Sequence, residues 1–455
     1  MDLMRQPLLP RARSLAAVLA TAVVAAVFAR SAAAQQTPDR PGRAVATDVD
    51  DLANDDDLLN ATAKDLGVPP PTDRLDQRIL KWGGLRPALE NAGITFEGVF
   101  TGDFSKNLRG GIDTRSEASR YLLDLRLNLD TRAAFGLAGG TFSVDFQQQD
   151  GRNGSEELTG DVQGFDNADA DGRTQIAEVW YEQLLLDNRV RVKIGKVDAN
   201  SEFALPENAG GFVNSSYGHS PTLNPWMPTY PDAATSANVF VYPVSWLYAG
   251  AGVYDGNGAE DGVRTGEYGP SKLFHSGRSF FYIAEVGAKW LLAENTLPGR
   301  AVVGGHYHDG TFGRFDGGTQ DGAAGLYAIV EQKLVHPKFY DKGNENGVYA
   351  FAQYGHTDGR VTEVTDHYSV GVTWVGPYPK ANPDTIGVGV SAARLTEADG
   401  AGFTRDFETS IEGWYNFQVT SYLSVKPDLQ YIIHPGGDAT IGDALAATLR
   451  VTLAF

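Results

Sequence analysis

From residue 94 onward the chain alternates apolar and polar positions with a period of two. In "RYLLDLRLNLD", Tyr121, Leu123, Leu125, Leu127 and Leu129 share one face, and Asp124, Arg126, Asn128 and Asp130 share the other. "RVRVKIGK" sets Arg191 and Lys193 opposite Val190, Val192 and Ile194, and "TFSVDFQQQ" and "LSVKPDLQYI" follow the same rule. Such alternation marks strands with one dry and one wet face. Sixteen segments of this kind lie at about 94–104, 118–131, 140–149, 173–185, 189–197, 236–243, 246–254, 280–292, 299–309, 322–334, 346–356, 366–376, 384–393, 406–417, 421–432 and 443–455. Ahead of them, Leu85, Leu89 and Ala92 fall on one helical face and Gly93 offers a stop, so a short amphipathic helix is expected within 73–93.

Connection lengths alternate too. "LDN" and "PVS" are minimal, whereas 150–172 and 198–235 are long and polar. An up-and-down barrel with short turns at one rim and loops at the other gives that rhythm. Sixteen strands in a ring enclose a lumen too wide for their own side chains to fill. The polar face then lines water and the apolar face meets lipid, while closure pairs every backbone group, as a bilayer demands. The expected fold is all-β: a closed antiparallel 16-stranded transmembrane β-barrel over 94–455 with a short N-terminal helix. Trp290, Trp374, Tyr415, Phe417, Tyr431 and Phe455 near strand ends suit the interfacial girdles. The last segment, "ALAATLRVTLAF", alternates up to Phe455, as expected of a strand that closes the ring and stops at the periplasmic interface.

The first residues add a location. Arg5, Arg11 and Arg13 precede an apolar run from Leu15 to Phe28, then small residues at Ala32 and Ala34. This is the make-up of a secretory signal, expected to be 1–34. Residues 35–72 are acidic, lack aromatics and end in Pro69, Pro70 and Pro71, the composition of a solvated periplasmic linker. The formal charge is -19, or -22 without the leader, which argues against nucleic acid as a partner. With no cysteine, disulfides, thiolate metal sites and Cys nucleophiles are excluded.

Candidate chemistry is sparse. "NADADGRTQIAE" sets Asn167, Asp169, Asp171, Gly172 and Glu178 at calcium-loop spacing, but without flanking helices and with Glu178 inside a strand, so an acidic loop is the better account. His306 and His308 share a strand face without a third ligand, and no metal site or cofactor is expected. No G-x-S-x-G or H-E-x-x-H motif occurs, and nothing orients His219 and Ser220 toward catalysis; an outer-membrane enzyme is a distant alternative. Segments four and five are more telling. Alternation aims Glu178, Trp180 and Glu182 into the lumen, with Arg191 and Lys193 beside them. Sugars need donors and acceptors for their hydroxyls and a flat apolar surface for their C–H faces, and this wall offers both. Asp124 and Arg126 join it as pore-lining candidates. Lys333, Lys426 and Arg450, with Glu331, Glu412 and Asp428, fall at other lumen positions, so the lining carries both signs. Loop 198–235, stiffened by Pro221, Pro225, Pro228 and Pro231, is expected to fold into the barrel and narrow it.

Four stretches resemble one family. "WGGLRPALENAGITFEGVFTGDFSKNLRGG" (82–111), "QIAEVWYEQ" (175–183), "VKIGKVDANSEFA" (192–204) and "EGWYNFQVTSYLSVKPDLQYIIHPGG" (412–437) are similar to the OprB-type carbohydrate-selective porins of Gram-negative outer membranes. The resemblance covers roughly 75–455 and implies a sixteen-stranded porin that passes small sugars by diffusion, as a homotrimer or a monomer. It also implies that Phe455 resembles the terminal signal read by the outer-membrane assembly machinery. Some members carry cysteines in the third loop; "PENAGGFVNSSYGHSPTLNPWMPTYP" has none. A general or ion-selective porin remains the alternative, and an adhesion or assembly barrel a further one.

Overall fold

Sixteen antiparallel strands close on themselves in the computed structural model, which describes residues 85–256, 259, 279–293, 297–337, 345–380 and 382–455. The expected leader (1–34), linker (35–72) and first part of the 73–93 helix lie outside those residues. A short helix, α1 (Leu85–Asn91), leads into β1 (Ile94–Gly111). Then come β2 (Ala118–Asp130), β3 (Gly140–Gly151), β4 (Arg173–Leu185), β5 (Val190–Val197), β6 (Ala234–Val244), β7 (Leu247–Asp255) and β8 (Phe280–Leu292). The second half holds β9 (Leu297–Gly313), β10 (Thr319–Val335), β11 (Gly347–Thr357), β12 (Val364–Val375), β13 (Thr385–Leu395), β14 (Phe407–Gln418), β15 (Leu423–Ile433) and β16 (Gly442–Ala454). Each strand pairs with its sequence neighbours, and β1 pairs with β16. All sixteen expected segments are strands, most of them displaced or extended by a few residues at their ends.

The seam shows why the last strand alternates to its end. Phe100 pairs with Leu453 and Phe104 with Leu449, all turned outward, while Asp103 pairs with Arg450 across the inside. Phe455 extends the seam by exchanging both backbone bonds with Gly98 at 2.8 and 2.9 Å, and its ring lies over Gly98, where any Cβ would collide with it. Elsewhere parity sorts the faces. On β12, Tyr368, Val370, Val372 and Trp374 are exposed to the lipid side, and His367, Ser369 and Thr373 are buried inside. On β13, Ile386, Val388 and Val390 face out, and the inward Gly387 and Gly389 leave room for the rings of Trp414, Phe212 and Tyr217.

One part of the wall departs from the expected polar lining. Phe240 on β6, Tyr254 on β7, Phe281 and Ile283 on β8, and Tyr327 and Ile329 on β10 are buried. They pack with Phe203, Leu223, Trp226 and Met227 from the connection between β5 and β6 into one apolar cluster. The lumen is therefore not uniformly wet.

Gly195 on β5 sits at φ +136, and a Cβ there would overlap the Val179 carbonyl oxygen and crowd Trp180 Cα. At this pairing only glycine fits. Gly210, by contrast, has open space around the Cβ position and a negative φ. Gly195→Ala is expected to lower the temperature at which the folded barrel loses its fast gel mobility, with a cost on the order of 1–3 kcal/mol. Gly210→Ala should melt like the parent.

Candidate functional site

The wall of β4 and β5 is aimed by a single irregularity. Asp145 of β3 faces Glu178, but Phe146 faces Ile176, so Ala177 is an extra residue. The bulge resets the alternation and turns Glu178, Trp180 and Glu182 inward while Ile176 stays out. The turn after β4 is tight: Leu186, Asp187 and Asn188 all adopt positive φ. It sets Glu182 directly opposite Lys193.

These side chains form a closed charge cluster. Arg191 reaches Glu182 at 3.1 Å and Glu202 at 2.7 Å; Lys193 reaches Glu182 at 3.3 Å and Glu202 at 2.6 Å. Lys193 Nζ also lies 4.0 Å from the Trp180 ring centre, and the Arg191 guanidinium 4.3 Å from that of Phe240. Two acids and two bases thus balance, and Lys193 covers one face of Trp180. Glu202, which sequence reasoning did not single out, comes from the following loop. Burial opposes its ionisation, but Arg191 and Lys193 overcome that and hold its carboxyl below the ordinary value. Nothing in the strand pattern announces this acid; its only signal is its place five residues past β5.

Next to this cluster, Arg126 of β2 bridges Asp145 at 2.6 Å and Glu178 at 2.8 Å, and Gln147 donates to Asp124 at 2.9 Å. Arg126 keeps 16% of its side chain exposed, more than its two acid partners. Among the described residues, the side-chain hydrogen bonds of Asp124, Arg126 and Gln147 run to the wall.

The loop 198–233 crosses the lumen. Arg173, Gln175 and Glu178 of β4 and Arg191 and Lys193 of β5 bond its two ends, and side chains from eight further consecutive strands bond the stretch between. Glu285 of β8 takes the Ala204 N–H, Arg300 of β9 reaches Glu207, and Glu331 of β10 takes the N–H groups of Glu207 and Asn208. Gln353 of β11 donates to the Ser216 carbonyl, Thr373 of β12 to that of Asn208, and Ser391 of β13 meets the Ser216 hydroxyl. Glu412 of β14 takes the N–H groups of Val213 and Asn214, and Lys426 of β15 donates to the Gly211 carbonyl at 2.7 Å. Aromatic packing adds to this: Phe212 stacks on Tyr217 at 4.2 Å and meets Phe351 and Trp414 edge-on. Of the expected lumen charges, Glu331, Glu412, Lys426 and Arg450 are all inward and engaged with loops, while Asp428 bonds the wall residue Gln430.

The loop 152–172 also turns inward. Its Asp166 is bound by Arg120 of β2 and by Arg450 of β16, which also grips Asp103 at 2.8 Å. This accounts for the calcium-like spacing. Asn167 accepts from Arg450 at 2.7 Å, Asp169 pairs with Arg120 at 2.5 Å, and Glu178 faces Arg126, so these oxygens meet guanidinium groups. His306 and His308 are buried in the aromatic cluster, where His308 Nε2 meets the Gly256 carbonyl at 2.9 Å. His219 pairs with Asn224 and Ser220 with Thr222.

Glu202 gives a pH test. A lowered folded pKa contributes stability that is full above the ordinary value of 4.5 and is lost as pH falls through the lower folded value. Glu202→Gln should therefore melt below the parent at neutral pH, by about 1.5–3 kcal/mol for a charged hydrogen-bonding group. The two melting temperatures should converge in acid; parallel curves down to strong acid would remove this role for Glu202.

The comparisons with known proteins agree with this architecture. The family model described as "Carbohydrate-selective porin, OprB family" matches residues 115–455. Porin B of Pseudomonas aeruginosa is 24% identical over 429 residues, covering 82% of this chain and 90% of that protein. The putative porin QuiX of Acinetobacter baylyi is 24% identical over 415 residues, covering 82% and 92%. Among solved structures, the high-pH form of Pseudomonas putida OprB superposes with a TM-score of 0.73 at 21% identity, covering 82% of this chain and 97% of that one. The low-pH form gives 0.54 at 19% identity, with the same coverage.

Proposed function

The chain belongs to the OprB family of carbohydrate-selective porins, and we propose that its solutes pass along β2 and β3 on the inner wall. It is a sugar-selective channel of the Gram-negative outer membrane, not an enzyme. The observation that carries the proposal is the uneven hold on the loop: 198–233 is bonded to β4, β5 and β8 through β15, whereas among the described residues the side-chain hydrogen bonds of Asp124, Arg126 and Gln147 run to the wall. On this reading Asp124 and Arg126 touch the solute. Glu178, Trp180, Glu182, Arg191 and Lys193 form the fixed layer behind them, and Glu178 orients Arg126.

The chemistry suits a neutral, hydroxylated solute. Charges of both signs stand within hydrogen-bond reach of one another, so the wall imposes little net field on an ion, yet hydroxyls can replace some of the water on those groups. Water competes for the same groups, so residence is short and the solute leaves the far side. Sugar block of ion current in a planar bilayer tests this. Arg126→Ala, Asp124→Ala and Lys193→Ala should each weaken the block by severalfold, the equivalent of about 1 kcal/mol, while the barrel stays folded. Wild-type block in all three would point instead to a general porin.

Export and assembly complete the reading. We propose that residues 1–34 are removed, leaving Gln35 first, and that Phe455 is recognised by the assembly machinery. Deleting Phe455 should slow the appearance of heat-modifiable barrel in outer membranes while the processed chain still begins at Gln35. Assembly at the parental rate would reject that role.

A further inference from the structure

Three wall carboxylates share a geometry that the permeation reading does not use. Glu331 of β10 takes the Glu207 N–H on Oε2 at 3.1 Å and the Asn208 N–H on Oε1 at 2.6 Å. Glu412 of β14 takes the Val213 N–H on Oε1 at 2.6 Å and the Asn214 N–H on Oε2 at 3.1 Å. Glu408, four residues earlier on the same face of β14, takes the Val162 N–H on Oε2 at 2.9 Å and the Gln163 N–H on Oε1 at 3.1 Å. In each case one carboxylate forks onto two consecutive backbone N–H groups, one oxygen to each. All three are buried, at 2% exposure or less.

We infer that Glu331, Glu408 and Glu412 are positioning residues that fix the width of the passage by gripping the backbone of the two inward loops. The physical case has three parts. First, these loop N–H groups lie in the lumen without strand or helix partners, and buried donors must be paired. Second, two consecutive N–H groups pointing the same way make a cleft that a carboxylate matches with one oxygen to each. Third, the loops also hold each other: Ser215 N–H donates to the Gly164 carbonyl and Asn167 N–H to the Val213 carbonyl, both at 2.8 Å. Glu408 and Glu412 therefore clamp, from one strand, two loops that are already bonded together. The grip is on backbone, so it does not depend on which side chains the loops carry at those positions.

The inference rests on reading 198–233 as the constriction, and its test can be separated from the sugar reading. Glutamine keeps the size of glutamate but replaces one acceptor with a donor, which opposes the second N–H. Glu331→Gln and Glu412→Gln, purified from outer membranes as heat-modifiable barrels, would be compared with the parent by single-channel recording. Conductance is expected to rise by about twofold, with noisier open current, because the gripped loop crosses the lumen and is bonded to ten of the sixteen strands. Asn208→Ala removes that residue's side-chain bond to Glu331 but keeps both N–H groups, and should conduct like the parent. Parental conductance in both folded glutamine variants would overturn the inference, as would an Asn208→Ala channel opened as far as Glu331→Gln. Failure of the glutamine variants to form a barrel would also count against it, since the barrel closes through strand pairing and only the loop should loosen. A parental channel that no sugar blocks would defeat the sugar reading and leave the conductance comparison standing.

Discussion

No backbone N–H or C=O can be left unpaired in hydrocarbon, and this one constraint organises the molecule. It requires the strands to close, and the β1–β16 seam, extended by Phe455 and Gly98, completes the closure. Closure fixes parity: once β12 turns Val370 and Val372 to lipid, Ser369 and Thr373 must face in. The loops inside the lumen meet the same requirement without a neighbouring strand. Their N–H groups end on wall carboxylates instead, so the inner face of the barrel is in part a binding surface for its own loops.

This explains which parts of the structure were legible in the sequence. The strands were legible, because alternation over a half-wet sheet is a direct record of burial. So was the inward aim of Arg191, Lys193, Glu331, Glu412 and Arg450, which follows from parity alone. Their partners were not. A carboxylate that binds a peptide N–H leaves no mark on the residue that donates it, so nothing at Val213 or Asn208 pointed to Glu412 or Glu331. Glu202 was hidden for a related reason: it lies outside any periodic segment, and only the path of the chain brings it to Arg191 and Lys193. The apolar inner wall was hidden by the rule itself. In "ANVFVYPV", Phe240 sits among apolar residues on both faces, so the pattern cannot say that its ring turns inward to Phe203. The bulge at Ala177 is a third case, since one extra residue resets parity without altering composition.

The electrostatics change meaning once the partners are known. A list of lumen charges suggests a wet, titrating channel. In the structure, Arg450 and Arg120 hold Asp166, Arg191 and Lys193 hold Glu202, and Arg300 holds Glu207 and Glu331. Pairs at such distances cancel at the range where a passing ion would sense them. What remains toward water is a set of hydrogen-bonding edges rather than a field, which is the kind of surface that separates hydroxylated solutes from ions.

The architecture also separates two tasks. Strands β4, β5 and β8 to β15 hold the loop, with aromatic rings and carboxylates that serve the loop's backbone and leave little freedom to change. Strands β2 and β3 carry Asp124, Arg126 and Gln147, whose partners lie on the wall itself. On the proposed reading a substitution at one of these three alters what the solute meets without releasing the constriction, because among the described residues their side-chain bonds run to the wall. A substitution at Glu331 or Glu412 does the opposite. On the proposed reading, sugar preference and pore width are set by different strands, and a porin built this way can shift the first while the second stays fixed.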